Sequence, residues 1–214
     1  MKTVDLPPYA PTLMESTRAI GYSIEAAMKE TLWTIQDEAA FEAFQKTGVL
    51  RANPSHLIFG GEFQYAYDWM VTQMRKRIGA APVGVQYPVW AWYQWEGKRK
   101  RRDLRHSGYA KRGTPMVQIT FEADNKDFLL SDFDDWHSVL NNCYIADNEK
   151  DWDDFYANDS DSRTDKIIAS WDKVFDLNRY APNWDPEPDK RTIQATLWEV
   201  RMSQVKKMEH FIAK

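Results

Sequence analysis

The chain contains 214 residues with a mass of 25.1 kDa, and its 28 basic and 32 acidic side chains give a formal net charge of -4. Its 43% of apolar residues, which include ten each of Trp, Tyr and Phe, exclude a disordered chain. No apolar run approaches the roughly 18 residues of a membrane span, and the single cysteine, Cys143, excludes an internal disulfide.

The chain begins with MKTVDLPPYAPT, which lacks the apolar core of a secretory signal. We therefore expect a cytoplasmic protein that makes no membrane contact. The prolines near the start predict an extended arm over residues 1–15, and a helix is predicted over residues 16–29. We expect residues 16–214 to form a single domain.

Residues 31–36, TLWTIQ, are typical of a strand because they are rich in β-branched and aromatic side chains. Asp37 and Gly48 are suitable N- and C-caps for the helix that follows. The clearest helix is predicted over residues 62–78, where apolar side chains recur at helical spacing. These side chains are Phe63, Tyr67, Met70, Val71, Met74 and Ile78.

The aromatic run over residues 87–95, YPVWAWYQW, predicts a strand covered on both faces. Residues 116–123 and 128–131 are predicted to form two more strands. A short helix is then expected to begin at Asp134 or Asp135, either of which can cap it.

In the last part of the chain the sequence predicts a helix, a strand and a second helix, in that order. Thr164 can cap a helix with the apolar stripe Ile167, Ile168, Trp171, Val174 and Phe175. Residues 192–198 predict the last strand, and residues 200–212 predict a closing helix with Val205, Met208 and Ile212 facing inward. The fold class is therefore α+β, with a small mixed or antiparallel sheet packed by several helices. The expected core includes Phe63, Tyr67, Met70, Met74, Ile168, Trp171 and Val205.

Four segments resemble a bacterial and phage family that is catalogued only as a domain of unknown function. They are YPVWAWYQWEGKRK, LLSDFDDWHSVLNN, IIASWDKVFDL and IQATLWEVRMSQVKKMEHF. The resemblance covers residues 31–214 and implies which segments belong together, but it implies no activity.

The segment TLWTIQDEAAFEAFQKTGVLRA is similar to the opening of ADP-ribosyltransferase-like families. In those families the first strand carries a His or Arg that holds NAD, and a late strand carries a catalytic Glu. The resemblance places Thr34 at the first of these positions, with Gln36 two residues on, and Glu199 at the second. It implies NAD as a cofactor and an ADP-ribosyltransferase-like sheet.

Charge is distributed unevenly along the chain. Residues 98–112 carry eight basic side chains against one acid, Asp103, whereas residues 122–165 carry fourteen acids against three bases. This pattern is consistent with an anionic ligand at the basic block or with pairing between the two blocks. We expect a nucleotide or nucleic acid as the partner of residues 98–112, and a protein partner of the acidic segment remains an alternative.

The aromatic strand lies next to this basic block, so stacking faces and phosphate-binding cations are adjacent in sequence. The candidate stacking residues are Trp90, Trp92 and Trp95, and the candidate phosphate-binding residues are Lys98, Arg102 and Arg105. The alternative is that these Trp side chains belong to the core. Gln36 and Gln194 would read a base edge if the first and last strands are neighbours, or they make structural hydrogen bonds.

Asp132, Asp134, Asp135 and His137 lie within six residues. Metal ligands must converge on one point, and these side chains would be divided between an extended segment and a helix, so we predict no metal site. A structural cap is one interpretation. The other is a catalytic role for Asp132 or His137, as a hydroxyl acceptor or general base.

Two main functions follow from these residues, with a protein-interaction role as a third. The first is an ADP-ribosyltransferase-like enzyme that uses NAD or a related nucleotide to modify nucleic acid or protein, with Glu199 as a catalytic residue. The second is a binding protein that holds a nucleotide or nucleic acid without turnover. A cleft shared by Gln36, Trp90 and Glu199 would favour the enzyme.

Overall fold

The computed structural model describes residues 28–54, 61–157, 162–181, 185–187 and 189–214. The expected N-terminal arm, residues 1–15, and nearly all of the expected first helix, residues 16–29, lie outside these ranges. Within them, none of the helices has the length and apolar character needed to cross a membrane.

The strands form one antiparallel six-stranded sheet and one separate pair. The members of the large sheet are β1 (Lys29–Asp37), β3 (Val89–Gln94), β4 (Pro115–Asp124), β5 (Phe128–Asp132), β6 (Ile193–Leu197) and β8 (Val205–Ile212). Their order across the sheet is β5-β6-β3-β1-β4-β8. The separate pair consists of β2 (Val49–Leu50) and β7 (Val200–Arg201).

Five α-helices are present among the described residues. They are α1 (Glu38–Thr47), α2 (Gln64–Arg77), α3 (Phe133–Leu140), α4 (Glu149–Ala157) and α5 (Arg163–Ser170), and a 3-10 helix (Trp171–Phe175) continues α5. Helices therefore pack on an antiparallel sheet, and the predicted α+β class is confirmed.

Local sequence explains how α1 is bounded. The Asp37 carboxylate accepts a hydrogen bond from the Ala40 amide at 2.7 Å, which satisfies an amide that would otherwise lack a partner. At the other end, Gly48 adopts φ 73°, and its amide donates to the Phe44 carbonyl at 2.8 Å. Both predicted caps are confirmed.

The two faces of the sheet bury separate apolar clusters, because successive strand residues point to opposite sides. Along β3, Ala91 joins the first cluster and Trp90 packs on the second. The first cluster lies against α1 and includes Leu32, Phe41, Phe44, Val117, Ile119, Phe121, Ala195 and Leu197. The second includes Met70, Met74, Trp136, Val139, Ile167 and Trp171, from α2, α3, α5 and the 3-10 helix.

The sheet is weakly paired at its centre. β1 pairs with β4 at nine positions but with β3 only at Trp33 and Trp92. Beyond that point the Thr34 hydroxyl donates to the Trp90 carbonyl at 2.7 Å, and the Gln36 amide donates to the Thr34 hydroxyl at 2.8 Å. We call this β1–β3 junction the seam, because it joins the three-stranded halves β5-β6-β3 and β1-β4-β8.

The predicted C-terminal helix over residues 200–212 is wrong. The segment forms β7, a short 3-10 helix (Met202–Gln204) and β8, which pairs with β4 at seven positions. Pairing to an available sheet edge has overridden a helical apolar spacing. Ile212 is 57% exposed instead of facing inward, whereas Val205 and Met208 are half-buried against the first cluster.

Two further expectations need correction. α3 begins after Asp132, whose Oδ1 accepts from the amides of Asp134 and Asp135, so neither of the two later Asp residues is the cap. Ile168 is 42% exposed, because the buried stripe of α5 and the 3-10 helix is narrower than expected and consists of Ile167, Ser170, Trp171 and Val174. Among the other expected core residues, Met70, Met74 and Trp171 are buried, and Phe63, Tyr67 and Val205 are half-buried.

The buried stripe of α2 can be tested by truncation. Met74 is fully buried, so Met74→Ala should lower the free energy of unfolding by about 2–5 kcal/mol through lost apolar burial and the resulting cavity. Denaturant titration measures this loss. A change below about 0.5 kcal/mol, the range of ordinary surface substitutions, would contradict the assigned packing.

The seam can be tested with a nearly isosteric pair of variants. Thr34→Val removes the buried hydroxyl and leaves the partly buried Trp90 carbonyl and the Gln36 amide without this partner. The expected loss in the free energy of unfolding is about 1–3 kcal/mol. Thr34→Ser keeps the hydroxyl and should lose less. Equal losses in both variants would show that the hydroxyl does not hold the two strands together.

Candidate ligand-binding site

The basic loop, residues 98–112, is anchored to the body of the protein by ion pairs. Arg99 pairs with Glu30 at 2.9 Å, and Arg101 pairs with Glu209 at 3.3 Å. Lys100 pairs with Glu96, and Arg105 pairs with Asp103. None of these acids belongs to residues 122–165, so the alternative in which the basic and acidic blocks pair with each other is wrong for these cations.

Arg102 differs from these four cations. Its guanidinium carbon lies 4.1 Å from the ring centre of Trp95, 4.5 Å from that of Tyr109 and 5.3 Å from that of Trp92. No carboxylate of the described residues lies within ion-pairing distance, and its buried Nε has no hydrogen-bond partner there. Burial lowers the pKa of the Arg102 guanidinium. We call the three rings around it the aromatic cage.

A tight turn positions one wall of this cage. Trp95 and Lys98 exchange two backbone hydrogen bonds, of 2.9 and 3.1 Å. Between them Gly97 adopts φ 73°, and a Cβ at this position would lie 1.5 Å from the Asp189 carbonyl oxygen. Its amide donates to the Arg191 carbonyl at 2.8 Å. Glycine is therefore required where the aromatic strand turns into the basic loop.

Tyr109 forms the opposite wall. Its hydroxyl donates to the Asp103 carbonyl at 2.6 Å, and its ring packs edge-on against Phe211 of β8, with 5.6 Å between ring centres. These contacts hold the basic loop over the β1-β4-β8 half of the sheet. The sequence interpretation missed Tyr109, although an aromatic residue within a run of cations was an available signal.

A pocket of about 200 Å³ lies over the seam, and we call it the seam pocket. Its lining includes five of the ligand-binding residues expected from the sequence, and Gln36, which is not in the lining, donates a hydrogen bond to one of them, Thr34. The five residues are Thr34, Trp90, Trp92, Arg102 and Gln194. Residues far apart in sequence are therefore brought together around one cavity.

Unpaired polar atoms lie in the wall of the seam pocket. Gln194 is 4% exposed, and its Nε2 has no hydrogen-bond partner among the described residues. The same holds for Nε1 of Trp90, which also lines the pocket. Buried polar atoms are usually paired with protein groups or ordered water, so these two donors can bond to a group that enters the pocket.

A second, open cavity of about 600 Å³ adjoins the first and shares Arg102 with it. We call it the basic trough. Its lining includes Trp95 and the basic side chains Lys100, Arg101, Arg105, His106 and His210. Three acids also line it, and each pairs with one of the cations: Glu96, Asp103 and Glu209. Lys98 is exposed and lines neither cavity.

Glu199 lies away from both cavities. Its two carboxylate oxygens pair with Arg51 and Arg201, each at 2.8 Å, beside the β2–β7 pair. The expectation that the first and last strands of the predicted sheet are neighbours is wrong, because β3 lies between β1 and β6. Gln194 consequently stands opposite Trp92 and Ser131, not beside Gln36.

Both carboxylate oxygens of Asp132 contact other groups of the protein. Oδ1 caps α3, and Oδ2 lies 3.1 Å from the Arg191 guanidinium nitrogen Nε. Burial raises the pKa of the Asp132 carboxyl, whereas the hydrogen bonds from the capping amides and the charge of Arg191 act to lower it. Asp185 extends this network from Arg191 to Arg179. These contacts give Asp132 a structural role without requiring a ligand.

His137 lies on α3 outside both cavity linings. Its Nδ1 is 2.9 Å from the Phe133 carbonyl oxygen, and its ring packs edge-on against the Phe133 ring. In the part of the chain that the structure describes, no group of three or more His, Cys, Asp or Glu side chains is arranged to hold a metal ion.

Comparison with known proteins identifies a family but no described relative. No curated protein and no solved structure matches the chain. One family model, described as a domain of unknown function, matches residues 31–206, which include all the strands of the large sheet except the first two residues of β1 and most of β8. The chain therefore belongs to the family DUF3841.

Proposed function

We propose that this protein binds a nucleotide or nucleic acid at the seam pocket, through an aromatic and basic surface and without turnover. The observation that carries this proposal is the Arg102 guanidinium, which is enclosed by three aromatic rings and lacks a carboxylate partner among the described residues. We place the function in the cytoplasm, which is supported by the single free Cys143.

A partly buried cation without an ion-pair partner is unfavourable, because burial removes hydration that the more distant Glu96 carboxylate only partly replaces. The lowered pKa of Arg102 has this cause. A phosphate that enters either cavity would supply the missing charge, and guanidinium groups bind phosphate oxygens with strong, directional hydrogen bonds. Water exclusion by the cage strengthens this interaction. Arg102 therefore favours an anionic ligand over a neutral one.

The aromatic side chains add affinity for a planar group. Trp90 and Trp92 line the seam pocket beside Arg102. Stacking on an aromatic side chain contributes about 1–3 kcal/mol per base, and a hydrogen bond to a charged group contributes about 1.5–3 kcal/mol. With a few such contacts a dissociation constant on the order of micromolar is reasonable. A ligand that combines a base and a phosphate matches both features.

An NAD-dependent ADP-ribosyltransferase is the second candidate function. The position of Thr34 at the seam pocket, with Gln36 bonded to it, favours this candidate because the resemblance assigns both residues to NAD. The position of Glu199 favours the binding protein without turnover. This residue lies outside both cavity linings and pairs with Arg51 and Arg201. None of the residues that line the seam pocket carries a carboxylate.

The role of Arg102 can be measured by calorimetric titration with AMP, ATP and NAD. Arg102→Gln should weaken binding of the best ligand by about tenfold or more, because a charge-assisted contact of about 1.5–3 kcal/mol is removed. Arg112→Gln removes the same charge from the same loop but from a residue that lines neither cavity. Its effect should be smaller and should fall as salt is raised.

Equal losses in the two variants would mean that only the net charge of the loop matters, and the proposed site would be wrong. Nicotinamide release from NAD decides between the two functions. Binding without release supports the binding protein. Release that Glu199→Gln abolishes, with NAD affinity kept, would instead establish the transferase.

A further inference from the structure

We infer that the ligand is single-stranded nucleic acid, with one unstacked base in the seam pocket and its backbone running past Arg102 along the basic trough. This inference rests on the proposed function and names the class of its ligand. It depends on the size of the two cavities, on how they are joined and on the charges along them.

The seam pocket is too small to enclose a whole nucleotide. Its volume of about 200 Å³ is below the roughly 300–1,000 Å³ of cavities that enclose drug-sized molecules. One planar base fits such a space, and the attached sugar and phosphate must lie outside it. Arg102 stands at the shared wall, so the first phosphate outside the pocket meets this cation.

The basic trough provides a continuation for a chain of phosphates. It is open to solvent, has a volume of about 600 Å³ and presents Lys100, Arg101 and Arg105. The side chains of these three cations are 43–83% exposed. Of the acids that pair with them, Glu96 and Asp103 are 63% and 37% exposed, whereas Glu209 is 21% exposed. Exposed ion pairs contribute little stability, so phosphates can replace Glu96 and Asp103 at little cost. A free mononucleotide would leave most of this surface unused.

Gln194 gives the pocket a group that can recognise a base. It is 4% exposed, lines the pocket and has an unpaired amide nitrogen. A base that enters the pocket offers ring and carbonyl acceptors to this amide. Because a base must leave a stacked helix to do so, the geometry favours single strands over duplexes.

The acidic segment does not neutralise the basic loop. In the acidic segment, Asp132 pairs with Arg191, Asp135 with Arg179 and Asp147 with Lys173. These basic partners all lie outside residues 98–112. Four cations of the loop pair with other acids, and the loop's remaining cations form no ion pair among the described residues: Lys98, Arg102, Lys111 and Arg112. The basic loop therefore keeps a positive charge on a chain whose net charge is -4, and such a charge attracts a polyanion more strongly than a single phosphate.

The inference can be tested by fluorescence anisotropy with the full chain. The probes are labelled oligo-dT and oligo-U of about 12 nucleotides, within the roughly 4–16 that one binding domain covers, together with a duplex of equal length. Unlabelled dTMP and UMP serve as competitors. The oligonucleotides should bind at least about tenfold more tightly than the mononucleotides and the duplex. Comparison of the two oligonucleotides shows whether the sugar is discriminated.

Variants connect this binding to the two cavities. Arg102→Gln should weaken oligonucleotide binding about tenfold or more and reduce the slope of log K against log salt by about 0.7, the value for one phosphate contact on a single strand. Gln194→Ala should weaken binding with the salt slope unchanged, because it removes a neutral contact. The matched control is Arg77→Gln, which removes one charge from α2 outside both cavity linings.

Three results would overturn the inference. Mononucleotides that bind as tightly as the oligonucleotides would keep the proposed function but replace the polymer with a small ligand. A duplex that binds as tightly as the single strands would exclude insertion of a base. Arg77→Gln that weakens binding as much as Arg102→Gln would show adsorption by net charge alone. Absence of binding to every probe, mononucleotides included, would remove the proposed function itself.

Discussion

The hydrogen bond from the Thr34 hydroxyl to the Trp90 carbonyl joins the two halves of the sheet where their backbones no longer pair. A regular antiparallel pair would close this junction with backbone bonds and leave no space between the strands. Here β1 and β3 share only the Trp33–Trp92 position, and a side chain bridges the rest. The seam pocket exists because of this arrangement, since it lies over the part of the sheet that a side chain holds together.

The basic loop completes the site by placing a cation over the seam. Its outer cations are neutralised by acids from the sheet and from the loop itself, which fixes the path of the chain. Arg102 is the exception, because rings instead of carboxylates surround it. Rings favour a cation less strongly than a paired carboxylate does, so the guanidinium remains available to an anion. The loop is thus anchored by its ion pairs, while Arg102 is left for the proposed contact with phosphate.

Sequence predicted the features that depend on near neighbours and missed those that depend on strand order. The caps at Asp37 and Gly48 and the five strands from residues 31–36 to 192–198 follow from local chemistry and side-chain alternation. Residues 200–212 carry an apolar spacing that also fits a helix, and only the free edge of β4 makes them a strand. The expected meeting of Gln36 with Glu199 needed two strands to be adjacent, which no local pattern specifies. By contrast, Trp90, Trp92 and Arg102 are close in sequence, and the sequence placed them near one another correctly.

The central claim, that the seam pocket is the ligand site, is tested most directly by NMR of the indole N–H groups. The chain has ten Trp residues, and uniform ¹⁵N labelling gives each a separate reporter, assigned by Trp→Phe variants. Addition of oligo-dT should shift the signals of Trp90, Trp92 and Trp95, which line the two cavities. Those of Trp69 and Trp171, which pack edge-on against each other in the second cluster, should stay in place. Shifts at Trp69 and Trp171 without shifts at Trp90 and Trp92 would contradict the claim.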